Sequence, residues 1–190
     1  MKSQFIMNIP NVVQQTRAWL KAMVIDQALC PFAKREYDRN SIHYCVIESA
    51  VPEDCLTTLI LECQRLYSDT DCETILLILT QGFADFEDFL EFVDIAEALL
   101  VDQGYEGIYQ LASFHPDYCF ADAPLDDPAN YTNRSPFPML HLLREASIEA
   151  ALKRYPDPES IPERNIQHTR HLGLSVLRKL LADCINLEAT

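Results

Sequence analysis

Glycine is scarce in this chain of 190 residues, and none of its four glycines forms a phosphate-binding motif. Both the GxGxxG pattern of dinucleotide-binding folds and the GxxxxGK(S/T) pattern of phosphate-binding loops are missing. These patterns supply the backbone donors that hold a nucleotide phosphate. The sequence therefore contains no nucleotide-cofactor motif, and the glycines at 82, 104, 107 and 173 fit turns, helix ends and one mid-helix position.

Long apolar runs and paired cysteines are missing as well. No apolar run approaches the roughly 20 residues that a membrane helix needs, and the chain does not begin with a signal-peptide pattern. The seven cysteines are odd in number, include no CxxC pair and lie mostly in apolar segments. Small secreted chains with this many thiols usually form disulfides. We therefore expect reduced core thiols and a cytoplasmic location.

Basic residues are outnumbered, since 15 Lys and Arg face 29 Asp and Glu, for a formal net charge of −14. Such a surface repels polyanions, so nucleic acid and anionic membranes are disfavoured as partners. Much of the excess acid lies between Glu53 and Glu97, where its spacing is typical of the solvated side of amphipathic helices.

Hydrophobic periodicity predicts alternating helices and strands. Three- and four-residue spacing of apolar side chains predicts helices at Ile9–Leu29, Pro52–Ser68, Phe86–Gly104, Pro138–Tyr155 and Ser160–Cys184. Short alternating or continuous apolar runs predict strands at Ile42–Ile47, Thr74–Leu79 and Ile108–Ser113. The run TILLIL at Thr74–Leu79 is typical of a strand that is buried on both faces. The last helix is expected to begin with a capping box formed by Ser160 and Glu163.

Strands that alternate with helices of this length favour right-handed crossovers and an α/β fold. We therefore predict a single domain over residues 1–190, with a small, mainly parallel three-stranded sheet and added C-terminal helices. No internal repeat, low-complexity tract or long linker divides the sequence. The alternative is a ferredoxin-like α+β fold with mixed strand directions.

A polar, proline-rich segment follows the third predicted strand. Ser113–Glu145 contains five of the eleven prolines, which stiffen the backbone by fixing φ. The same segment concentrates side chains that bind ligands or transfer protons, namely His115, Asp117, Asn130, Asn133, Arg134, Ser135, His141, Arg144 and Glu145. Because functional groups often lie on loops held by a rigid scaffold, we expect the site here.

Two histidines of this segment are candidate acid–base groups. His115 and Asp117 follow a predicted strand, and His141 would share one face of a helix with Glu145. His115 with Asp117 would form the general acid/base pair, and His141 is a further catalytic candidate. Together the four side chains could also ligate zinc, iron(II) or manganese. The alternative is structural, with His115 capping the strand end and His141 paired with Glu145.

Two arginines suggest an anion site. Arg134 lies between Asn133 and Ser135, so guanidinium, amide and hydroxyl donors are adjacent and could bind a carboxylate or phosphate. Arg144 interrupts an apolar stripe of the predicted helix and would be partly buried, where it needs an anionic partner. That partner is either a substrate or an acidic side chain of the same chain.

Cys30 is a further catalytic candidate. It lies at the end of a predicted helix, and the nearby cations Lys34 and Arg35 would favour its thiolate. The thiolate could act as a nucleophile, with His115 or His141 as its base. The alternative is a thiol packed in the core, because free cysteine is among the most buried residue types and a helix C-terminus disfavours an anion.

Five short motifs carry a resemblance to a known family. In chain order they are Leu29–Lys34 (LCPFAK), Ala112–Tyr118 (ASFHPDY), Asn130–Pro136 (NYTNRSP), His141–Glu145 (HLLRE) and Pro162–Asn165 (PERN). From about Thr16 to Gly173 the chain resembles a mainly bacterial family called domain of unknown function 1415. No reaction is established for that family, so the resemblance assigns no catalytic residue.

These observations lead to two functional hypotheses. The first is a cytoplasmic enzyme or enzyme-like protein that binds a small anionic metabolite in a cleft at the C-terminal end of the sheet. In it the donors around Arg134 hold the anion, and His115 with Asp117 transfers protons. Arg144 would either clamp the substrate or brace the loop. The second is a non-catalytic interaction module, in which the stiff loop is a surface for another protein.

Overall fold

The computed structural model describes residues 9–187. Within that range the chain forms seven α-helices, namely α1 (Ile9–Trp19), α2 (Ala33–Asp38), α3 (Pro52–Ser68), α4 (Phe86–Asp102), α5 (Glu145–Leu152), α6 (Ile161–Leu172) and α7 (Leu174–Ile185). It also forms four strands, namely β1 (Ile42–Ile47), β2 (Thr74–Leu79), β3 (Tyr109–Phe114) and β4 (Met139–Arg144). A π-helical segment, Leu20–Ile25, continues α1, and short 3-10 helices lie at Pro128–Thr132 and Pro158–Ser160.

The sheet is mixed, with the strand order β1-β2-β4-β3. β1 and β2 pair in parallel, whereas β4 lies between β2 and β3 and is antiparallel to both. The α/β class is confirmed, and the predicted strands Ile42–Ile47 and Thr74–Leu79 have the observed bounds. The prediction of a mainly parallel three-stranded sheet is wrong, because a fourth strand is inserted antiparallel. The ferredoxin-like alternative has the mixed directions but requires the order β-α-β-β-α-β, which this chain does not follow.

β4 replaces the first part of the predicted helix Pro138–Tyr155. The chain passes from β4 into α5 without a loop, so the apolar pattern of both elements resembles one helix. The position between β2 and β3 decides the conformation, because β4 pairs with both neighbours and buries Met139, Leu140 and Leu142. Tertiary pairing therefore overrides local propensity.

Helices cover both sides of the sheet, which we call its first and second faces. The core on the first face joins α3 and α4 to the sheet and includes Leu59, Leu66, Phe89, Ile75, Leu77 and Leu142. The core on the second face joins α1, its π-helical continuation and α7 to the sheet and includes Trp19, Met23, Ile78, Met139, Leu177 and Leu181. β2 is buried along its whole length, as its continuous apolar run predicts.

Several helix boundaries differ from the prediction. The first helix is α-helical to Trp19 and π-helical to Ile25, and α2 is an additional element. Gly173, which the pattern placed within a helix, has a φ of 80° and separates α6 from α7. Such a φ is readily adopted only by glycine. The expected capping box is also wrong, since the hydroxyl of Ser160 donates to the carbonyl oxygen of Asp157 at 2.9 Å.

The cysteines are free thiols, and no helix spans a membrane in the described range. Four of the seven are buried in the core, as predicted, namely Cys55, Cys63, Cys72 and Cys184. The half-buried thiols are Cys30, Cys45 and Cys119. Among residues 9–187, no helix combines the length and apolar character that crossing a bilayer requires.

Candidate functional site

The loop after β3 is held together by its own polar groups, beginning with His115. This side chain is fully buried, its Nε2 donates to the carbonyl oxygen of Phe83 at 2.9 Å, and its Nδ1 accepts from the backbone N–H of Asp117 at 3.0 Å. The ring centroid lies 5.1 Å from those of both Phe86 and Phe89. Burial lowers the pKa of His115, so the ring is neutral at pH 7. Both ring nitrogens are therefore engaged in hydrogen bonds with the backbone. The side chain of Asp117, the predicted partner of His115, is exposed.

Asn130 and Asp127 close the same loop. Asn130 is fully buried, accepts from the backbone N–H of Phe120 at 3.1 Å and donates to the carbonyl oxygen of Pro124 at 3.0 Å. Asp127 accepts two hydrogen bonds from Arg170 of α6, at 3.1 and 2.7 Å. The Arg170 guanidinium lowers the pKa of Asp127. These contacts fix the loop against α6.

The predicted anion donors are largely engaged within this loop. Nε and Nη2 of Arg134 donate to the carbonyl oxygens of Tyr118 and Leu125, at 3.0 and 2.9 Å. Ser135 is fully buried and donates to the carbonyl oxygen of the residue two positions later, at 2.6 Å. Asn133 is half-buried beside them. The guanidinium and hydroxyl groups that the sequence assigns to an anion brace the backbone in the structure.

Arg144 is a brace as well, at the other end of the sheet. It ends β4 rather than lying in a helix. Its Nη2 donates to the carbonyl oxygens of Leu66, Asp69 and Cys72, with distances of 3.3 and 3.1 Å to the last two. A cation is favoured here because the carbonyl groups at a helix C-terminus carry partial negative charge. Backbone carbonyls therefore take the place of the predicted acidic partner.

The four candidate metal ligands do not converge. His115 follows β3, His141 lies within β4, and Glu145 begins α5, so the predicted helix face shared by His141 and Glu145 does not exist. In the part of the chain that the structure describes, no three His, Cys, Asp or Glu side chains are grouped so that they could hold a metal ion. The structure therefore offers these four residues, Asp117 included, no common coordination site.

A cavity of about 720 Å³ opens on the second face of the sheet. Its floor includes the strand residues Thr74, Leu76, Ala112, Phe114, His141 and Leu143. Its walls come from the end of α1 and its π-helical continuation, the turn before α2, and α5 with the turn after it, and include Trp19, Leu20, Cys30, Phe32, Ile148 and Tyr155. The volume lies within the range of sites for small organic molecules.

The cavity lies at the opposite end of the sheet from the predicted cleft. It adjoins Ile42 and Thr74, which begin β1 and β2, and Arg144, which ends the antiparallel β4. It is therefore near the N-terminal ends of the parallel strands. Among the predicted site residues, Cys30, His141 and Arg144 line it, whereas His115, Asp117, Asn133, Arg134, Ser135 and Glu145 do not.

His141 lies on the cavity floor between two strands. Its Nε2 is 2.7 Å from Oγ1 of Thr74, and the Thr74 hydroxyl also lies 2.7 Å from the carbonyl oxygen of Leu142. Burial lowers the pKa of His141 to about 4, so the ring is neutral at pH 7. A neutral imidazole has one nitrogen that donates and one that accepts. Because Nε2 is hydrogen-bonded to Thr74, Nδ1 is the ring nitrogen that remains for a molecule in the cavity.

Cys30 lies in the cavity wall, in the turn before α2. The backbone N–H groups of Phe32 and Ala33 act on its sulfur and favour the thiolate, but burial has the larger effect and raises the pKa of the thiol. The resting group is therefore a protonated thiol. Cys30 and His141 share one cavity, as the nucleophile hypothesis requires, and the thiol would need a base in order to react.

Charged side chains line the outer part of the cavity. Glu36 lies 3.4 Å from Arg35 and 3.8 Å from Arg39, so its charge is compensated. Glu73 is the other acidic lining residue. Arg154 is exposed and forms no ion pair with any residue between positions 9 and 187. A guanidinium is therefore available for an anion at the rim of the cavity.

Comparison with known proteins gives the family of the chain and no relative of known activity. No curated protein and no solved structure matches it. The sequence pattern of the family described as "Protein of unknown function (DUF1415)" matches residues 11–179. The chain belongs to this family. The resemblance drawn from five short motifs is confirmed, and Cys30, Thr74 and His141 all lie within the matched residues.

The DUF1415 motifs divide between the cavity and the braced loop. LCPFAK contributes to the cavity wall, and HLLRE contributes His141 to the floor. PERN supports the wall from α6, because Asn165 donates to the carbonyl oxygen of Leu29 at 2.7 Å and Arg164 donates to the hydroxyl of Tyr155. ASFHPDY contributes Ala112 and Phe114 to the floor, and its remaining residues form most of the braced loop together with NYTNRSP. Four of the five motifs therefore build or support the cavity.

Thr74 and Arg154 are the site residues that the sequence analysis missed. Thr74 begins the buried run TILLIL and is its one polar residue, which is a signal that sequence inspection could have used. Arg154 carries no such signal, since an exposed arginine after a helix is ordinary. Its position at the rim depends on how α5 lies over the sheet, which the sequence does not reveal.

Proposed function

We propose that this protein binds a small organic anion with an apolar body in the cavity on the second face, as a cytoplasmic enzyme or enzyme-like protein. The observation that carries the proposal is the position of His141, a neutral imidazole on the floor of a cavity of about 720 Å³. Cavities of this size, with apolar walls and a few polar groups, are the usual sites of small organic ligands.

The inner walls favour an apolar ligand body. Trp19 and Leu76 are buried core residues that also face the cavity, and Phe32 and Phe114 add aromatic surface. Burial of apolar surface contributes roughly 25 cal/mol per Å². α5 also favours an apolar ligand body. None of its residues is buried, and Ile148 lines the cavity, so an apolar ligand would bury part of this helix.

The rim favours an acidic group on the ligand. Arg154 is exposed and free of ion pairs within the described residues, so a carboxylate or phosphate could accept a charge-assisted hydrogen bond from it. Arg35 adds a second guanidinium at the rim, partly compensated by Glu36. Because the chain carries a net charge of −14, these groups form a local region of positive charge on an acidic protein.

Proton transfer in this proposal involves His141 and Cys30. Nε2 of His141 is hydrogen-bonded to Thr74, so Nδ1 is the ring nitrogen that could take the thiol proton of Cys30 when a substrate is bound. Cys30 is then the proposed nucleophile of a catalytic version of this function. The loop that contains His115, Asp117 and Arg134 is assigned a bracing role, because its polar groups face one another and the backbone.

Fluorescence titration with 1-anilinonaphthalene-8-sulfonate, an amphipathic anion, tests the proposal. We expect saturable binding that decanoate displaces. The variant Arg154→Gln should bind both anions several-fold more weakly, since it removes the guanidinium at the rim. Arg178→Gln is the matched control, because it removes the same charge from an exposed position on α7 that does not line the cavity. Absence of saturable binding, or equal weakening in both variants, would contradict the proposal.

A second candidate function is a non-catalytic interaction module. The observation that favours it is Leu125, which is 75% exposed in a loop whose polar groups are engaged in internal hydrogen bonds. A large apolar side chain on a rigid loop could contact another protein. Failure of the anion titration, together with co-purification of a protein that Leu125→Asp abolishes, would favour this function over the first.

A further inference from the structure

The hydrogen bonds of Thr74 determine which nitrogen of His141 carries the proton. The Thr74 hydroxyl oxygen lies 2.7 Å from the carbonyl oxygen of Leu142, and two oxygens at this distance share a hydrogen. A carbonyl can only accept, so Thr74 donates its one hydroxyl hydrogen to Leu142. In the 2.7 Å contact between Thr74 and His141, Nε2–H of the imidazole is therefore the donor and the Thr74 hydroxyl oxygen is the acceptor. His141 is the Nε2-protonated tautomer, with a lone pair at Nδ1.

The Nδ1 atom has no donor from the protein. Throughout residues 9–187, no side chain or backbone N–H donates a hydrogen bond to it, and His141 lines the cavity. Its neighbours on the same face of the two adjacent strands are Leu76 and Ala112, whose side chains have no hydrogen-bonding group. The acceptor is therefore flanked by apolar side chains, and the imidazole that carries it lines the cavity.

We propose that this cavity selects ligands with a hydroxyl or N–H donor on their apolar body, and that Thr74 sets the preference by holding His141 as an acceptor. The inference deepens the proposed function and rests on it. A ligand of the same shape without the donor would bury Nδ1 unpaired, and an unpaired buried acceptor is penalised. The ligand class is an amphipathic acid whose buried end is a phenol, an alcohol or an N–H heterocycle.

Matched phenyl acids test this selectivity in the intact protein. Isothermal titration compares 4-(4-hydroxyphenyl)butanoate with 4-(4-methoxyphenyl)butanoate and 4-phenylbutanoate, which share the carboxylate and ring but lack the donor. We expect the hydroxy acid to bind about tenfold more tightly than either analogue, the effect of one neutral hydrogen bond made in place of an unpaired acceptor. Equal affinities of the hydroxy and methoxy acids would overturn the inference.

Two variants of Thr74 test its positioning role. Thr74→Val keeps the shape of the side chain but removes the hydroxyl, so both tautomers of His141 become accessible and the preference for the hydroxy acid should fall to about twofold or less. Thr74→Ser keeps the hydroxyl and should keep the preference. Nitrogen-15 NMR of the imidazole should report the Nε2-protonated form in the parent and in Thr74→Ser, and a mixture in Thr74→Val.

The outcomes separate this inference from the function on which it rests. Saturable binding of all three acids with no donor preference would overturn the selectivity and leave anion binding in place. Failure of all three acids to bind would contradict the proposed function itself. An Nδ1-protonated ring in the parent protein would overturn the role of Thr74, and this measurement does not depend on whether the variants fold.

Discussion

Nε2 of His115 lies 2.9 Å from the carbonyl oxygen of Phe83, and this contact joins the end of β3 to the turn that precedes α4. Phe83 has a φ of 48°, a left-handed conformation that is unfavourable for a residue with a large side chain. The hydrogen bond holds this turn in place. The histidine that the sequence marks most strongly as catalytic is therefore engaged in a structural contact.

Replacement of His115 should affect stability and leave anion binding unchanged. His115→Ala opens a cavity beside Phe86 and Phe89 and leaves the Phe83 carbonyl without its donor, so the free energy of unfolding should fall by about 3 kcal/mol. The affinity for 1-anilinonaphthalene-8-sulfonate should not change. Urea titration and fluorescence titration of the same preparation measure both quantities, and weaker binding by a folded variant would return His115 to the functional site.

Arg134 and Arg154 should respond in opposite ways to the same substitution. Arg134→Gln deprives the carbonyl oxygens of Tyr118 and Leu125 of their donors and should lower the free energy of unfolding by about 1–3 kcal/mol, with unchanged affinity for the anion. Arg154→Gln should change stability by no more than about 0.5 kcal/mol, since the side chain is exposed, but should weaken binding. Each variant is the control for the other, and the reverse pattern would restore the anion role of Arg134.

Stability should fall at acidic pH in a manner that depends on His141. Its pKa is about 4 in the folded protein, against an ordinary value of 6.5. Between these values the unfolded chain binds a proton that the folded protein does not. The stability associated with the neutral ring is therefore complete above pH 6.5 and is lost as the pH falls toward 4, with a limiting slope of about 1.4 kcal/mol per pH unit.

Urea unfolding across this pH window measures the effect. His141→Gln should reduce the slope, because a glutamine amide can donate to Thr74 but does not titrate. Burial also lowers the pKa of His115, so this residue too makes stability fall with decreasing pH. The pH dependence caused by His115 should remain in His141→Gln. Identical pH dependence of the parent and His141→Gln proteins would show that His141 is not buried as a neutral ring.

α5 should become more protected from hydrogen exchange when the cavity is filled. None of its residues is buried, and Ile148 lines the cavity, so the backbone amides of α5 should open easily in the free protein. Saturation with decanoate should slow exchange in 145–152 more than in α3, which is already packed on the first face. Equal exchange of α5 with and without decanoate, under conditions where decanoate binds, would refute this coupling.

The alternating elements could be predicted because their patterns are local. The continuous apolar run of β2 and the apolar stripe of α4 each indicate their structure without reference to the rest of the chain. β4 could not, because its conformation follows from pairing with two strands that are distant in sequence. Gly173 was also not predictable from periodicity, because the helical pattern of Ser160–Cys184 continues through it, whereas its positive φ separates α6 from α7.

Side-chain chemistry alone predicts Cys30, His141 and Arg144 as site residues, and all three line the cavity. Their functional roles stay predictions. The density of polar groups in Ser113–Glu145 predicts a ligand site, but a loop without regular hydrogen bonding also needs polar side chains to satisfy its own backbone. Asn130 and Arg134 meet that need. Composition does not reveal which polar groups contact one another and which line a cavity, because that depends on the three-dimensional arrangement of the chain.

Substitutions that fill the cavity test the central claim most directly. Ala151 and Ala146 both lie in α5, but Ala151 lines the cavity and Ala146 is exposed outside it. The affinity for 1-anilinonaphthalene-8-sulfonate is measured for Ala151→Trp and Ala146→Trp, with circular dichroism as the check of folding. The account predicts that binding is lost in Ala151→Trp and retained in Ala146→Trp, and equal affinities in the two folded variants would contradict it.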